Sequence, residues 1–169
     1  MTDASDGPDF SRGFFLERPE VCLPWGLSEA EALELLRDAR VRGVGAGRLR
    51  ARCHLLGGFE TELELRFRPR KAGRLFQVEF LRSPKRRRRQ AFEAWQQLLV
   101  GWLGPGTDGP PHAIGKGLAQ IVPSTWKLGS VAVTHDYFYQ GAHYEKVLFS
   151  WAGYREVPAA RQDEKSAEG

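Results

Sequence analysis

General acid–base chemistry needs titratable side chains held within reach of one another, and the stretch of this chain that offers them holds His135, Asp136, His143 and Glu145. Neighbouring residues of a strand point to opposite faces, so Asp136 does not orient the His135 ring. The hairpin register expected here sets His135 and His143 on one face, within reach of a shared ligand. Ordinary polarity at the surface is the reading, and no catalytic residue is assigned. His54 and His112 form no close helical pair with a carboxylate companion, and Cys22 and Cys53 are too scattered for a zinc site. Neither a metal nor a cofactor is expected.

Anion chemistry has three candidate stretches. Gly43-x-Gly45-x-Gly47 follows a predicted helix and precedes a strand, the reverse of the order that points free amides at a phosphate, so it reads as a linker. The segment GPPHAIGKG, Gly109 to Gly117, has one residue too many between its glycines, and Gly117 stands where a metal-binding hydroxyl belongs. The third is Lys85-Arg86-Arg87-Arg88-Arg89, in the first turns of the long helix predicted from Ser83 to Gly104. The positive end of the helix dipole disfavours each cation there by roughly 0.3–1 kcal/mol. Either these arginines are simply solvated or they hold an anion. Arg86, Arg87 and Arg89 are the candidate binding residues, because stepping back from Phe92 puts Lys85 and Arg88 on the buried stripe. Arg68, Arg70, Lys71 and Arg74 would join them in a polyanion site.

Aromatic side chains concentrate near the end of the chain, at Tyr137, Phe138, Tyr139, Tyr144, Trp151 and Tyr154. Interleaved with polar groups, they suit a protein interface or base stacking, and equally a plain core. Tyr137, Tyr139 and Tyr144 are the candidate contacts.

The elements that would position these residues follow from periodicity. Phe92, Trp95, Leu99 and Trp102 recur at helical steps, with Ser83-Pro84 as a start and Gly104-Pro105-Gly106 as a stop. Trp95 should therefore be core, and Gln96 and Gln97 dispensable. An earlier helix opens at Ser28 with a capping box to Glu31 and presents Ala32, Leu35, Leu36 and Ala39 as its apolar face. From Arg48 the period is two. Leu49, Ala51, Cys53 and Leu55 alternate with polar residues, then Phe59, Leu63, Leu65 and Phe67 do the same, and Phe76, Val78 and Phe80 supply a third strand. Matching apolar faces requires a loop of about three residues, Leu56 to Gly58, which sets Arg52 against Glu62 and Arg50 against Glu64 in a solvated charge ladder.

A second hairpin, Lys127 to Tyr139 and Ala142 to Trp151, is expected to pair Val131, Val133, His135, Tyr137 and Tyr139 with Trp151, Phe149, Val147, Glu145 and His143, leaving Phe138, Tyr144 and Leu148 on the other face. Phe14 to Leu16 and Val21 to Leu23 are either edge strands or packed coil, split by Arg18-Pro19. The Gly- and Pro-rich segment from Gly104 to Pro123 is a long connection with a short strand near Ala119 to Val122.

A chain of 169 residues is about one domain long, and its five Trp and ten Phe are enough for a large aromatic core. The net charge of +4 permits acidic partners, but 25 basic against 21 acidic residues do not select one. The opening MTDASDGPDF is acidic where a secretory signal is basic then apolar, so a cytoplasmic protein without membrane contact is expected, its two cysteines buried free thiols.

The fold expected is a single two-layer α+β domain over 13–157, an antiparallel sheet of five or six strands with two helices packed on one face and flexible termini at 1–12 and 158–169. With no catalytic constellation, the function expected is a small non-enzymatic protein-binding module of bacterial type, an inhibitor, immunity or adaptor-like protein. The alternative is a nucleic-acid or polyanion binder using the basic run. Nothing in the composition sets the oligomeric state.

Overall fold

A computed structural model of the chain describes residues 9–55, 58–68, 73–82, 88–114, 119–139 and 143–155. A hairpin of β1 (Gly13–Glu17) and β2 (Glu20–Pro24), turning at a cis Arg18-Pro19 bond, leads into α1 (Glu29–Leu35). Then come β3 (Val41–Gly43), β4 (Arg48–Leu55), β5 (Phe59–Arg68), β6 (Arg74–Arg82) and the long helix α2 (Arg88–Leu103). The strands β7 (Thr107–Asp108), β8 (His112–Ile114), β9 (Ala119–Ile121), β10 (Ser124–Leu128), β11 (Val131–Tyr139) and β12 (His143–Trp151) complete the order.

The expected α+β class and antiparallel sheet are present, but the sheet is larger. It has eight strands in the order β3-β4-β5-β6-β12-β11-β10-β7, and β1-β2 and β8-β9 form two further ribbons. The difference has local causes. Gly129, at φ +59°, turns the chain inside the segment read as one strand from Lys127 to Tyr139, dividing it into β10 and β11. The edge strands β3 and β7 span three and two residues, too few to show a period.

The registers deduced from apolar matching are those observed: Arg50 faces Glu64, Arg52 faces Glu62, His135 faces Val147 and Tyr137 faces Glu145. One inward row crosses all eight strands through Val41, Ala51, Leu63, Phe80, Val147, His135, Ser124 and Asp108. It is apolar from β3 to β12 and polar from β11 to β7.

Above this inward face lies one apolar cluster, which takes in Ala32 of α1, its C-cap residue Leu36, and Trp95 and Leu99 of α2, so both helices cover the same side. The β1-β2 ribbon packs there too, with the Phe14 ring 4.9 Å from that of Phe149 and 5.6 Å from that of Phe80. Phe10 is buried against Phe14 and Trp102, and its carbonyl accepts from Trp25 Nε1 at 2.7 Å. Core packing thus extends into the segment expected to be a loose terminus, because an aromatic ring at position 10 reaches the gap between the ribbon and α2. The expected tail 158–169 lies outside the described residues.

α1 begins as expected, with Glu31 N–H donating to Ser28 Oγ at 3.3 Å and Ser28 N–H to Glu31 Oε2 at 2.7 Å. Its apolar face is narrower than predicted. Leu35 is exposed, while Ala32, the C-cap residue Leu36 and, past the helix end, Ala39 pack against the core. α2 stops where the glycine predicted, Gly104 taking φ +79° and donating its N–H to Val100 O at 2.9 Å. Its expected start at Ser83 falls among residues 83–87, outside those described. Both cysteines are free, but only Cys53 is buried, which pushes its thiol up to about 12; Cys22 is exposed because the outer side of β2 is covered by nothing among the described residues.

This packing sets the cost of removing a core ring. Trp95→Ala should lower stability by roughly 3–5 kcal/mol in chemical denaturation, whereas Gln97→Ala, on the exposed side of α2, should change it by less than about 0.5 kcal/mol. The helix cap sets a response to acid. Hydrogen bonds from the Ser28 backbone and hydroxyl hold the Glu31 carboxyl below its ordinary value of 4.5. A depressed carboxylate contributes stability that is complete above the unfolded value and lost as pH falls through the folded one. In Ser28→Ala, thermal unfolding should therefore lose part of its slope against pH below about 4.5, with the midpoint also lower at neutral pH.

Candidate functional site

The pleat of β11 and β12 turns His135, Tyr137 and Glu145 to the same side as Val131, Val133, Val147 and Phe149, beneath α2. A strand face otherwise made of valine and phenylalanine thus carries an imidazole and a carboxylate, each no more than 1% exposed. Unpaired, they would be costly. They are not unpaired. His135 Nε2 lies 2.9 Å from Glu145 Oε1, and Arg82, at the end of β6 in register with Glu145, donates its Nε–H to Glu145 Oε2.

α2 closes the cluster from above. Phe92 stacks flat on the His135 ring at 4.1 Å between centroids, and the Arg82 guanidinium sits 4.7 Å from the Trp95 ring centroid. Arg82 Nη2 also donates to Ala91 O at 2.6 Å, tying a helix carbonyl to the sheet. Gln96, one helical turn past Phe92, reaches down between strands: its Oε1 is 2.5 Å from His135 Nδ1 and its Nε2 donates to Ser124 Oγ at 2.6 Å. Ser124 donates onward to Asp108 Oδ1 at 3.0 Å. The result is a continuous polar chain, Arg82, Glu145, His135, Gln96, Ser124, Asp108, each member drawn from a different element and the whole running from the middle of the sheet to its β7 edge.

Of the acid–base set read from the sequence, the fold brings together His135 and Glu145. Asp136 points to the other face, where its Oδ1 accepts from the Tyr137 N–H at 2.6 Å, as the alternation requires. His143 pairs with Tyr139 at the start of β12, and its side chain lies outside the described residues. Both nitrogens of the His135 ring are committed to protein partners, so the arrangement joins helix to sheet rather than presenting a base to a substrate. The residues missed were Arg82, Gln96, Ser124 and Asp108. Gln96 was expected to be dispensable, and the structure overturns this: it is the sole member of the polar chain contributed by α2. The signal available in the sequence was Glu145 itself, an acid at an inward position of an otherwise apolar strand, which demands a cation from a neighbouring strand end.

The binding candidates separate. Tyr137 is core, buried with Phe92 and Ile121, and so offers no surface contact; its position opposite Glu145 had already placed it on the inward face. The side chain of Tyr139 and all of Arg86 and Arg87 lie outside the described residues. Arg89 is exposed and bonded to Glu93 at 2.7 Å, one turn along α2. Tyr144 faces outward, stacked on Phe138 at 5.6 Å, with Lys146 Nζ 5.2 Å from the Phe138 ring centroid.

That outward face also holds the expected charge ladder, in more detail than pairing alone foretold. Glu64 and Glu79 sit opposite each other on β5 and β6 and are both buried. Arg50 at 2.9 Å and Arg66 at 3.1 Å neutralise Glu64, and Arg66 reaches Glu79 at 2.9 Å. Glu62 is bound by Arg42 at 3.0 Å and Arg50 at 3.5 Å rather than by its register partner Arg52. Among the described residues no group of three or more His, Cys, Asp or Glu side chains is placed to hold a metal ion, and no helix is long and apolar enough to cross a membrane.

The two kinds of ion pair should respond differently to deletion. Glu145→Ala leaves a guanidinium and an imidazole facing an empty buried site, and should cost roughly 3–5 kcal/mol in denaturant unfolding. Glu93→Ala, which frees the exposed Arg89, should cost less than about 1 kcal/mol. Compared with protein families, with curated proteins and with solved structures, the chain matches none, and its site stands on its own geometry.

Proposed function

We propose that this is a small non-enzymatic protein-binding module, inhibitor, immunity or adaptor-like, that meets its partner with the outward face of the sheet. The observation that carries this reading is the set Leu81, Phe138, Tyr144, Lys146 and Leu148, contiguous on β6, β11 and β12, facing away from both helices and none of them buried. The stacked aromatics Phe138 and Tyr144 suit an interface centre, where aromatic residues are enriched. Next to them on the same face lies the Arg50, Arg66, Glu64, Glu79 ladder. Its alternating charges suit a mixed polar rim and oppose a phosphate backbone. The inward face supports the same conclusion from the other side, since its titratable pair is spent on holding α2.

A second reading, a nucleic-acid or polyanion binder, rests on the run that ends at Arg89, and the pairing of Arg89 with Glu93 weakens that end of it. One experiment separates the two. Partners are captured from nuclease-treated lysate on the wild type, on Phe138→Ala/Tyr144→Ala and on Arg86→Gln/Arg87→Gln/Arg89→Gln, and the affinity of the captured protein is then measured with each. The aromatic pair change should weaken it about tenfold or more, the arginine change little. Recovery that disappears with nuclease, or affinity whose slope against log salt falls by about 0.9 for each phosphate that the arginine variant no longer neutralises, would establish the polyanion reading instead.

A further inference from the structure

Two of the three carboxylates in the outward ladder have both oxygens met by guanidinium groups. Glu62 accepts from Arg42 at both oxygens and lies 3.5 Å from Arg50, while Glu64 accepts from Arg50 at Oε2 and from Arg66 at Oε1. Glu79 is the exception. Its side chain is only 7% exposed, yet a single guanidinium, Arg66, reaches it, at Oε2, and its Oε1 takes no hydrogen bond from any described residue. Its charge is neutralised, but its capacity to accept is half used.

The open oxygen belongs to a residue that borders a space. Between β4, β5 and β6 the outward face has a depression of about 40 Å³, lined by Arg50, Glu62, Leu63, Glu64, Glu79 and Leu81. Arg66 is not part of this lining. It stands opposite Gln77, two residues along β6 from Glu79 and away from Leu81. The depression is thus bounded by three carboxylates and one guanidinium, with room for about three waters or for one flat guanidinium head. Lys146, the cation opposite Leu81 on β12, does not fill it, since its ammonium lies over the Phe138 ring instead.

We propose that this depression receives an arginine of the protein partner, its guanidinium donating to Glu79 Oε1. The inference rests on the docking role given above to the outward face and specifies the chemistry of what docks: an arginine set beside apolar residues. Leu81 borders the depression and Leu148 lies opposite Glu79, so the site runs directly into the patch with Phe138 and Tyr144. A partner that covered this face without bringing a donor would strand a buried carboxylate oxygen, at a cost that cancels much of the contact. Arginine suits the place better than lysine. Its planar fork donates to two oxygens at once and gives up less hydration, and two guanidiniums on one carboxylate is already the arrangement at Glu62 and Glu64.

The probe is ethylguanidinium, titrated into the wild type, Glu79→Gln and Leu81→Lys while nitrogen-15 amide spectra are recorded. Saturable shifts should appear in the wild type around Glu64, Glu79 and Leu81, and sodium propionate should give none. Binding should weaken about tenfold in Glu79→Gln and vanish in Leu81→Lys, where an ammonium on the same strand face occupies the depression from within. Leu81 is only half-buried, so that variant decides the matter should Glu79→Gln fail to fold. No saturable shift in the wild type, or equal binding in the variants, would overturn the proposal. The affinity of the captured partner then separates the arginine from the docking role. A partner weakened by Phe138→Ala/Tyr144→Ala and about tenfold by Glu79→Gln supports both. One weakened by the aromatic change alone keeps the docking face and removes the arginine, and one indifferent to either change removes the docking face and this inference with it.

Discussion

Glu145 is the constraint around which the rest of the structure is arranged. A carboxylate at an inward position of a central strand, in a face of valine and phenylalanine, is tolerable only if polar partners reach it from more than one direction. β6 supplies Arg82, whose guanidinium lies against Trp95 and bonds a carbonyl of α2. β11 supplies His135, which is covered by Phe92 and braced by Gln96. The position of α2 thus follows from two requirements together, an apolar stripe that must be buried and a buried charge that must be screened, and both are met by residues within about one and a half turns of the same helix.

The opposite face solves the same kind of problem differently. Glu64 and Glu79 are adjacent, and two carboxylates side by side repel unless cations intervene. Here the cations are arginines with a third or more of their side chains in water, spread along β4 and β5, so the charges are satisfied without a covering layer. The sheet therefore has a sealed face, where polar groups are used up in joining elements, and an open one, where aromatic and charged side chains remain available. That asymmetry is why the binding role is proposed for the outward face.

The inward row across the eight strands makes the division finer still. From β3 to β12 it is apolar and roofed by α1, the β1-β2 ribbon and the C-terminal half of α2. From β11 to β7 it becomes His135, Ser124 and Asp108, and opens to solvent at its last member. A buried site is in this way joined to the surface by side chains alone, and the exposed carboxylate at the sheet edge stands at one end of a line of hydrogen bonds that passes beneath the helix.

Much of this was determined by local sequence. The alternation from Arg48 to Phe67 and the turn length around Gly58 specified the first hairpin to the residue, because slipping by one position would send every leucine to the solvent side. The same reasoning placed Tyr137 opposite Glu145 and His135 opposite Val147, and the capping box and Gly104 marked a start and a stop that need only neighbouring backbone. Only the tertiary structure decided which neighbours those strands would have. β6 pairs with β12 across the whole of α2 and the connection that follows it, and that non-local choice is what brings Arg82 to Glu145. Gln96 looked dispensable because helical periodicity ranks a polar residue beside the apolar stripe as solvent-facing. Its value comes from His135 and Ser124, 39 and 28 residues away, whose presence under the helix no local pattern records.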